Sequence, residues 1–194
     1  SMKRFHPAHL LSRFSPVFQT AKGVAYQADA QELLDALPEH SIDLVLTSPP
    51  YALHFKKEYG NVSQDKYVDW LIGFAPQIHR VLKDDGSFVL NVGGSWTPGQ
   101  PTRSLCHFEI ALRLVKEMGF FLAQEFYWYN PAKLPVPAEW VNVRKIRVKD
   151  SVECVWWLSK TTYPRANNQA VLQPYSADMK RLLRRGYRAT VRPS

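Results

Sequence analysis

The chain has 194 residues, 45% of them hydrophobic, and a formal net charge of +8. That length fits one domain or a large part of one, and the apolar share is enough to build a core. No run reaches the roughly 18 apolar residues of a membrane span, the start SMKRFHPAH lacks the apolar stretch of a signal peptide, and Cys106 and Cys154 stand far apart with no metal-ligand spacing. The expectation is therefore a cytoplasmic protein with two free thiols, no membrane span and no metal. The positive balance makes a polyanion a candidate partner.

Residues 1–22 show no period and are expected to form an irregular arm, with Ser1 before Met2 reading as a tag remnant. GVAYQ (23–27) is a short strand candidate. ADAQELLDALP predicts a helix: Asp29 is a candidate N-cap, Glu32 completes a D-x-x-E capping box, Leu33, Leu34 and Leu37 form the stripe, and Pro38 stops it. Ile42 to Thr47, apolar or β-branched except for Asp43, is a run of strand length, expected to be covered on both faces. The polar stretch ALHFKKEYGNVSQD after Tyr51 reads as a loop.

Val68, Leu71, Ala75, Ile78 and Leu82 then stripe a helix that Pro76 should kink. Asp84-Asp85-Gly86 reads as a turn into the strand SFVLNVGG. Phe108, Ala111, Leu112, Val115 and Met118 predict the buried stripe of a further helix, stopped by Gly119. Phe120–Tyr129 and Ser151–Lys160 are aromatic, β-branched strands, and between them lie 20 residues with three prolines and no period. Alternating strands and helices followed by two late strands predict an α/β sheet, mostly parallel, with an antiparallel pair at one edge. No internal repeat is visible. The last 20 residues carry six Lys or Arg and one acid.

The stretch that asks for an explanation is Thr47-Ser48-Pro49-Pro50-Tyr51. In an open α/β sheet, ligands bind beyond the carboxyl ends of the strands, where these residues should lie. Proline has no N–H and a fixed φ, so such a segment is stiff and rich in acceptors. Ser48 adds a hydroxyl and Tyr51 a flat apolar face. Rigid acceptors beside an aromatic ring suit a planar base with an exocyclic amine. Hydrogen bonds from both amine protons would favour a pyramidal, more nucleophilic nitrogen, and the rest is positioning.

TSPPY resembles the (D/N/S)PP(Y/F/W) motif of DNA amino-methyltransferases, which use S-adenosylmethionine. The serine version is typical of cytosine-N4 enzymes and the aspartate version is commoner for adenine N6. QADAQELLDALP, SIDLVLTSPPYAL, KKEYGNV, GSFVLNVGG and FYWYNPAKLPVPAEWVNVRKIRVKDSVECVWWLSKT, in that order, resemble the PvuII-type cytosine-N4 methyltransferases of restriction–modification systems. The resemblance implies a Rossmann-like methyltransferase sheet and double-stranded DNA as partner. By position, Ser48 and the Pro49 carbonyl would accept from the cytosine amine, Pro50 would stiffen the loop and Tyr51 would stack on the flipped base. Asp29, as an alternative to simple capping, and Thr47 would contact the cofactor.

Lys56, Lys57, Arg103, Lys133, Arg144, Lys145 and Arg147 are candidate phosphate contacts, with Asn130 and Trp140 as pocket-wall candidates by resemblance. A solvated charged face is the plainer reading of each cation. The segments implied are an arm (1–22), a catalytic part (23–162) with an inserted DNA-facing loop (131–150), and the start of a target-recognition region or a basic tail (163–194).

The family's cofactor loop, F-x-G-x-G after a strand, has no counterpart, since no G-x-G occurs. In this subclass the catalytic motif precedes the cofactor motif. The expectation is an incomplete sheet lacking the first cofactor strands, completed by a longer chain or by a second polypeptide. Adenine-N6 methylation and a non-catalytic DNA-binding or assembly half stay open as alternatives.

Overall fold

A computed structural model describes residues 6–50 and 66–186. Two short strands, β1 (Phe18–Gln19) and β2 (Val24–Ala25), pair antiparallel after a 3-10 turn at Pro7–Leu11, so the region expected to be irregular carries local structure. Helix α1 (Ala30–Ala36) follows, then β3 (Ile42–Thr47), α2 (Tyr67–Ile72), α3 (Ala75–Val81) and β4 (Leu82–Val92). Next come α4 (Cys106–Lys116), β5 (Phe121–Tyr129), β6 (Val152–Ser159) and α5 (Ala177–Arg185). The segment predicted to kink at Pro76 is instead two helices. Pro76 sits in the first turn of α3, where its missing N–H costs no helical bond.

The main sheet has the order β3-β4-β6-β5. β3 and β4 are parallel, and β6 is antiparallel to both β4 and β5. β3, β4 and β5 therefore share one direction, as a mostly parallel α/β sheet requires. The antiparallel pair expected at one edge is β5–β6, and β6 is its reversed member. It lies inside, between β4 and β5, because the β4–α4–β5 crossover leaves a gap that β6 fills. Where a turn was predicted at Asp84-Asp85-Gly86, the β3–β4 register jumps: Ile42 faces Leu82 and Leu44 faces Ser87. The extra β4 residues loop out as an irregularity within the strand.

The core lies on one face of this sheet. Phe88, Leu90 and Val92 of β4 and Trp156 and Leu158 of β6 alternate onto that face and meet Tyr67, Leu71, Ile78, Ile110 and Leu114 from the helices. Arg80 fastens α1 to α3, its guanidinium donating to the carbonyls of Leu34 at 2.8 Å and Leu37 at 3.0 Å. Both lie in the last turn and cap of α1, where the Leu34 carbonyl also accepts from Leu37 N–H at 3.2 Å. The opposite face is largely uncovered among the described residues, although Ser87 and Glu153 on it are buried. Leu46 is 68% exposed, and Leu44, Phe126 and Trp128 are exposed too. The expectation that β3 is covered on both faces is thus corrected: its alternate residues face an uncovered side, and its only described neighbour is β4.

Helix α4 corrects the sequence reading in another way. Its buried residues are Cys106, His107, Ile110 and Leu114, while Phe108, Leu112 and Val115 of the predicted stripe are exposed. The helix has two apolar faces, and the pattern alone did not say which one the sheet takes. Gly119 ends the segment at φ +78, the left-handed conformation glycine adopts most easily. The proline-rich stretch before β6 carries a π-helical turn at Glu139–Val143. Both cysteines are free thiols. Among the described residues no helix is long and apolar enough to cross a membrane, and no cluster of His, Cys, Asp or Glu could hold a metal.

Candidate active site

The carboxyl ends of β3, β4 and β5 converge with the start of β6. Thr47, the last residue of β3, faces Leu90 of β4. Ser48 and Pro50 beyond it are exposed and Pro49 is half-buried. This places Ser48-Pro49-Pro50 beside Asn91-Val92-Gly93-Gly94. The prolines contribute carbonyls and no N–H, so the rim at β3 offers mainly acceptors. Tyr51, Lys56 and Lys57 lie outside the described residues.

Asp29 is the N-cap of α1. Its Oδ1 accepts from the N–H of Gln31 at 2.8 Å and of Glu32 at 3.3 Å. At the end of β5, Asn130 makes a tight turn: its Oδ1 accepts from Ala132 N–H at 3.1 Å, and its own N–H donates to the Ser151 carbonyl at 2.7 Å. Trp140 is half-buried, with the Arg144 guanidinium 5.2 Å above its ring.

Most of the predicted phosphate contacts have partners within the chain. Arg103 pairs with Asp150, donates to the Gly94 carbonyl at 3.3 Å and stacks on Trp96 at 5.2 Å. Lys133 reaches Glu153 at 3.1 Å, and Arg144 reaches Glu139 at 2.6 Å. Arg147 donates to the Pro101 carbonyl at 2.8 Å. Lys149 joins them, donating to the Pro131 and Lys133 carbonyls at 2.8 and 3.2 Å. The Arg103, Lys133 and Arg147 contacts tie the 131–150 segment to its surroundings, and the Arg144 and Lys149 contacts brace it internally. Lys145 is exposed, with a left-handed backbone at φ +57.

Two residues here escaped the sequence reading. Glu153 is an 8%-exposed acid at the start of β6, and its lysine partner lies 20 residues upstream in sequence. His107 is buried in the first turn of α4, and its Nδ1 has no hydrogen-bond partner among the described residues. Burial first, and the Arg103 charge second, push its pKa below the ordinary value. A Cβ on Gly94 would sit 2.6 Å from His107 Cε1 and 2.8 Å from its Nδ1, so the close approach of the segment after β4 to α4 favours a glycine. A lone histidine and an isolated acid carry no spacing that would have marked them. Burial likewise raises the Cys154 pKa above its ordinary value.

An open α/β sheet of this order, with Ser-Pro-Pro at the carboxyl end of a parallel strand, defines an amino-methyltransferase-like protein. The comparisons give the family. The N6/N4 DNA methylase family profile matches residues 42–192, and the chain belongs to that family. It is 51% identical over 182 residues to the type II methyltransferase M.PvuII of Proteus hauseri, covering 92% of this chain and 54% of that one. M.ScaI of Streptomyces caespitosus is 33% identical over 114 residues, 58% of this chain and 36% of that one. The solved PvuII DNA methyltransferase (cytosine-N4-specific) superposes with a TM-score of 0.74 at 54% identity, covering 81% of this chain and 56% of that one. A DNA modification methylase of Thermus thermophilus, solved with S-adenosyl-L-methionine, shares the fold at a TM-score of 0.51 and 24% identity, covering 73% of this chain and 55% of that one. The chain thus spans about half the length of M.PvuII.

Proposed function

We propose that this chain carries the catalytic part of a cytoplasmic, site-specific methyltransferase that modifies the N4 amine of a flipped cytosine in double-stranded DNA. The observation that carries the reading is Ser48-Pro49-Pro50 just past the end of β3, where β4 leads into Gly93-Gly94, in a chain 51% identical to M.PvuII. Extrusion is needed because a paired, stacked amine is out of reach. Ser48 Oγ and the Pro49 carbonyl accept the two amine protons and turn the nitrogen lone pair toward the donor. Pro50 holds the segment stiff and Tyr51 stacks on the base. The contribution of these residues is geometric.

When bound, S-adenosylmethionine supplies the methyl group. Asp29 and Thr47 are the residues here that would hold it. Capping uses Oδ1 of Asp29, and a carboxylate has room for further donors, so a cofactor hydroxyl fits the same side chain. The remaining cofactor contacts come from a loop outside this chain, on a longer protein or a second polypeptide. DNA phosphates are met by Lys56, Lys57, Lys145 and Arg147. Arg103, Lys133 and Arg144 chiefly brace the rim, with Asn130 and Trp140 in the pocket wall.

The test is nucleoside mass spectrometry of unmethylated plasmid incubated with S-adenosylmethionine and the chain, with and without a segment corresponding to the remainder of M.PvuII. N4-methylcytosine is the expected product, lost in Ser48→Ala. N6-methyladenine would overturn the base assignment. No methylated base in either sample, with DNA still bound, would establish the non-catalytic half.

A further inference from the structure

One face of the sheet can be followed strand by strand to its carboxyl end. Leu46 faces Val89, and Val89 faces Trp157, away from the side where Leu90 and Trp156 enter the core. Side chains alternate along a strand, so this outer face runs from Leu46 to Ser48 past β3, and from Trp157 through Val155 to Glu153 on β6. On β4 it runs from Val89 through Asn91 to Gly93, just past the strand end. The Ser48 rim therefore stands on one side and a carboxylate on the other, and the strand between them leads into a residue with no side chain.

Glu153 is buried on a face where Leu46 and Trp128 are exposed. Lys133 reaches it from the turn after β5, with Nζ 3.1 Å from Oε1. The backbone on either side of this lysine is pinned: its N–H donates to the Asn130 carbonyl at 3.3 Å, and its carbonyl accepts from Lys149 Nζ at 3.2 Å. The side chain is only 28% exposed, yet an ammonium has three N–H donors and, among the described residues, Glu153 takes one. A brace alone is met as well by apolar side chains of the same volume. A buried pair keeps something they cannot, a fixed positive charge with donors left over.

Ser48-Pro49-Pro50 cannot tell cytosine from adenine, since both offer it an amine beside a ring nitrogen that accepts. The two bases differ one atom further on, where cytosine has the O2 carbonyl and adenine a C–H. Resting on the reading of this site as a cytosine pocket, we propose that Lys133, held by Glu153, donates to that O2 and so selects cytosine. From N4 to O2 the base measures about 4.5 Å, and a hydrogen bond of about 2.9 Å at either end brings the span to about 10 Å. β3 and β6 stand two strand spacings apart with β4 between them, also about 10 Å. Adenine would leave the ammonium facing a C–H, and an unpaired polar group of this kind is how a site rejects a wrong substrate. Lys133 thus touches the base, and Glu153 acts through it as a positioning residue.

The test is a cycle of enzyme and base, run on the chain together with the segment corresponding to the remainder of M.PvuII. The duplex carries the target cytosine or, in its place, a 2-aminopyridine C-nucleoside, which keeps the amine and ring nitrogen and lacks the carbonyl. Both kcat/KM and the dissociation constant of the duplex are measured, and comparing enzymes on the two duplexes cancels the analogue's own weaker pairing. The wild type is expected to prefer cytosine over the analogue about 10–100-fold more strongly than Lys133→Met, with the loss falling on cytosine. Glu153→Gln, which removes the charge that orients the lysine, should lie between them. The double variant of Lys133→Met with Glu153→Met replaces the pair by apolar side chains, so it should hold its urea midpoint and still lose the preference. A brace alone would lower both duplexes alike. Equal losses on the two, with N4-methylcytosine still formed, overturn this inference and leave the cytosine reading standing. N6-methyladenine as the product overturns both. Dissociation constants need no methyl transfer, so a protein that binds without reacting still shows the preference or lacks it, and decides the inference either way.

Discussion

Replacing Gly94 by alanine probes how tightly the strand end beside Ser48-Pro49 is held. Gly94 has no positive φ, so an alanine fits its backbone, and entropy alone would favour the change by about 0.4–1 kcal/mol. The surroundings reverse the sign. The new methyl meets His107 Cε1 at 2.6 Å, and the ring has little freedom to retreat. It is 7% exposed and lies 4.0 Å from the Phe108 ring, while the His107 carbonyl accepts from Trp156 Nε1 at 3.1 Å. Overpacking of this kind costs about 1–3 kcal/mol, which leaves a net loss of about 1–2 kcal/mol. Urea unfolding followed by tryptophan fluorescence reads it as a lower midpoint at unchanged slope. In a His107→Ala background the same substitution should cost nothing, a coupling of about 1–2 kcal/mol between contacting residues. A Gly94→Ala protein as stable as wild type, or an equal cost in both backgrounds, would refute the reasoning.

Two further outcomes follow from two histidines, on α4 and α3, and from the N-cap of α1. His107 and His79 are both pushed below the ordinary histidine value, in each case by burial first, then by Arg103 and by Lys160 respectively. The unfolded chain therefore takes up these protons first as pH falls, so their contribution is full above about pH 6.5 and is lost as pH drops from there toward the lower folded values. The urea midpoint should fall between about pH 7.5 and 5.5, and His107→Gln should flatten the slope; an unchanged slope in that variant would exclude His107 as a source. Asp29→Ala should cost about 1 kcal/mol through the lost cap, and Asp29→Ser should recover most of it. If Asp29 also holds the cofactor, Asp29→Ser in the completed enzyme stays weak in calorimetric titration with S-adenosylmethionine despite its recovered stability. Full affinity would leave Asp29 a cap only.

The elements that could be read from sequence are those whose signals are local. Asp29 before Leu33 and Leu34, the β-branched run at Ile42–Thr47 and the aromatic strands around residues 121–159 each announce themselves, and each is present. The errors arise where two local readings are equally good and tertiary contacts decide. Helix α4 has two stripes, and only the placement of β4 and Phe120 selects Cys106, Ile110 and Leu114. Pro76 kinks one long helix or opens a second, depending on whether the preceding turn closes. The antiparallel edge pair was expected and is present, but which of its members lies inside, against β4, is a matter of long-range pairing that no window of sequence contains. At the site, the Ser-Pro-Pro rim was legible because its chemistry is contiguous. Glu153 with Lys133, and His107 with Gly94, were not, because each pair is made of single residues joined only by the fold.

The interior place of β6 has a consequence for the order of assembly. β5 is synthesised before β6, yet among the described residues its ladder runs only to β6, from Phe121 opposite Ser159 to Tyr129 opposite Val152. Until the chain has passed residue 159, the aromatic strand has no backbone partner, and the β3–β4 pair stands without its third strand. The sheet therefore closes in one late, long-range step that must first pay the loop entropy of the 131–150 segment. A nascent chain halted between Asn130 and Ser151 should expose β5 to other strands and to chaperones, whereas one halted after Ser159 should protect both ladders together from hydrogen exchange.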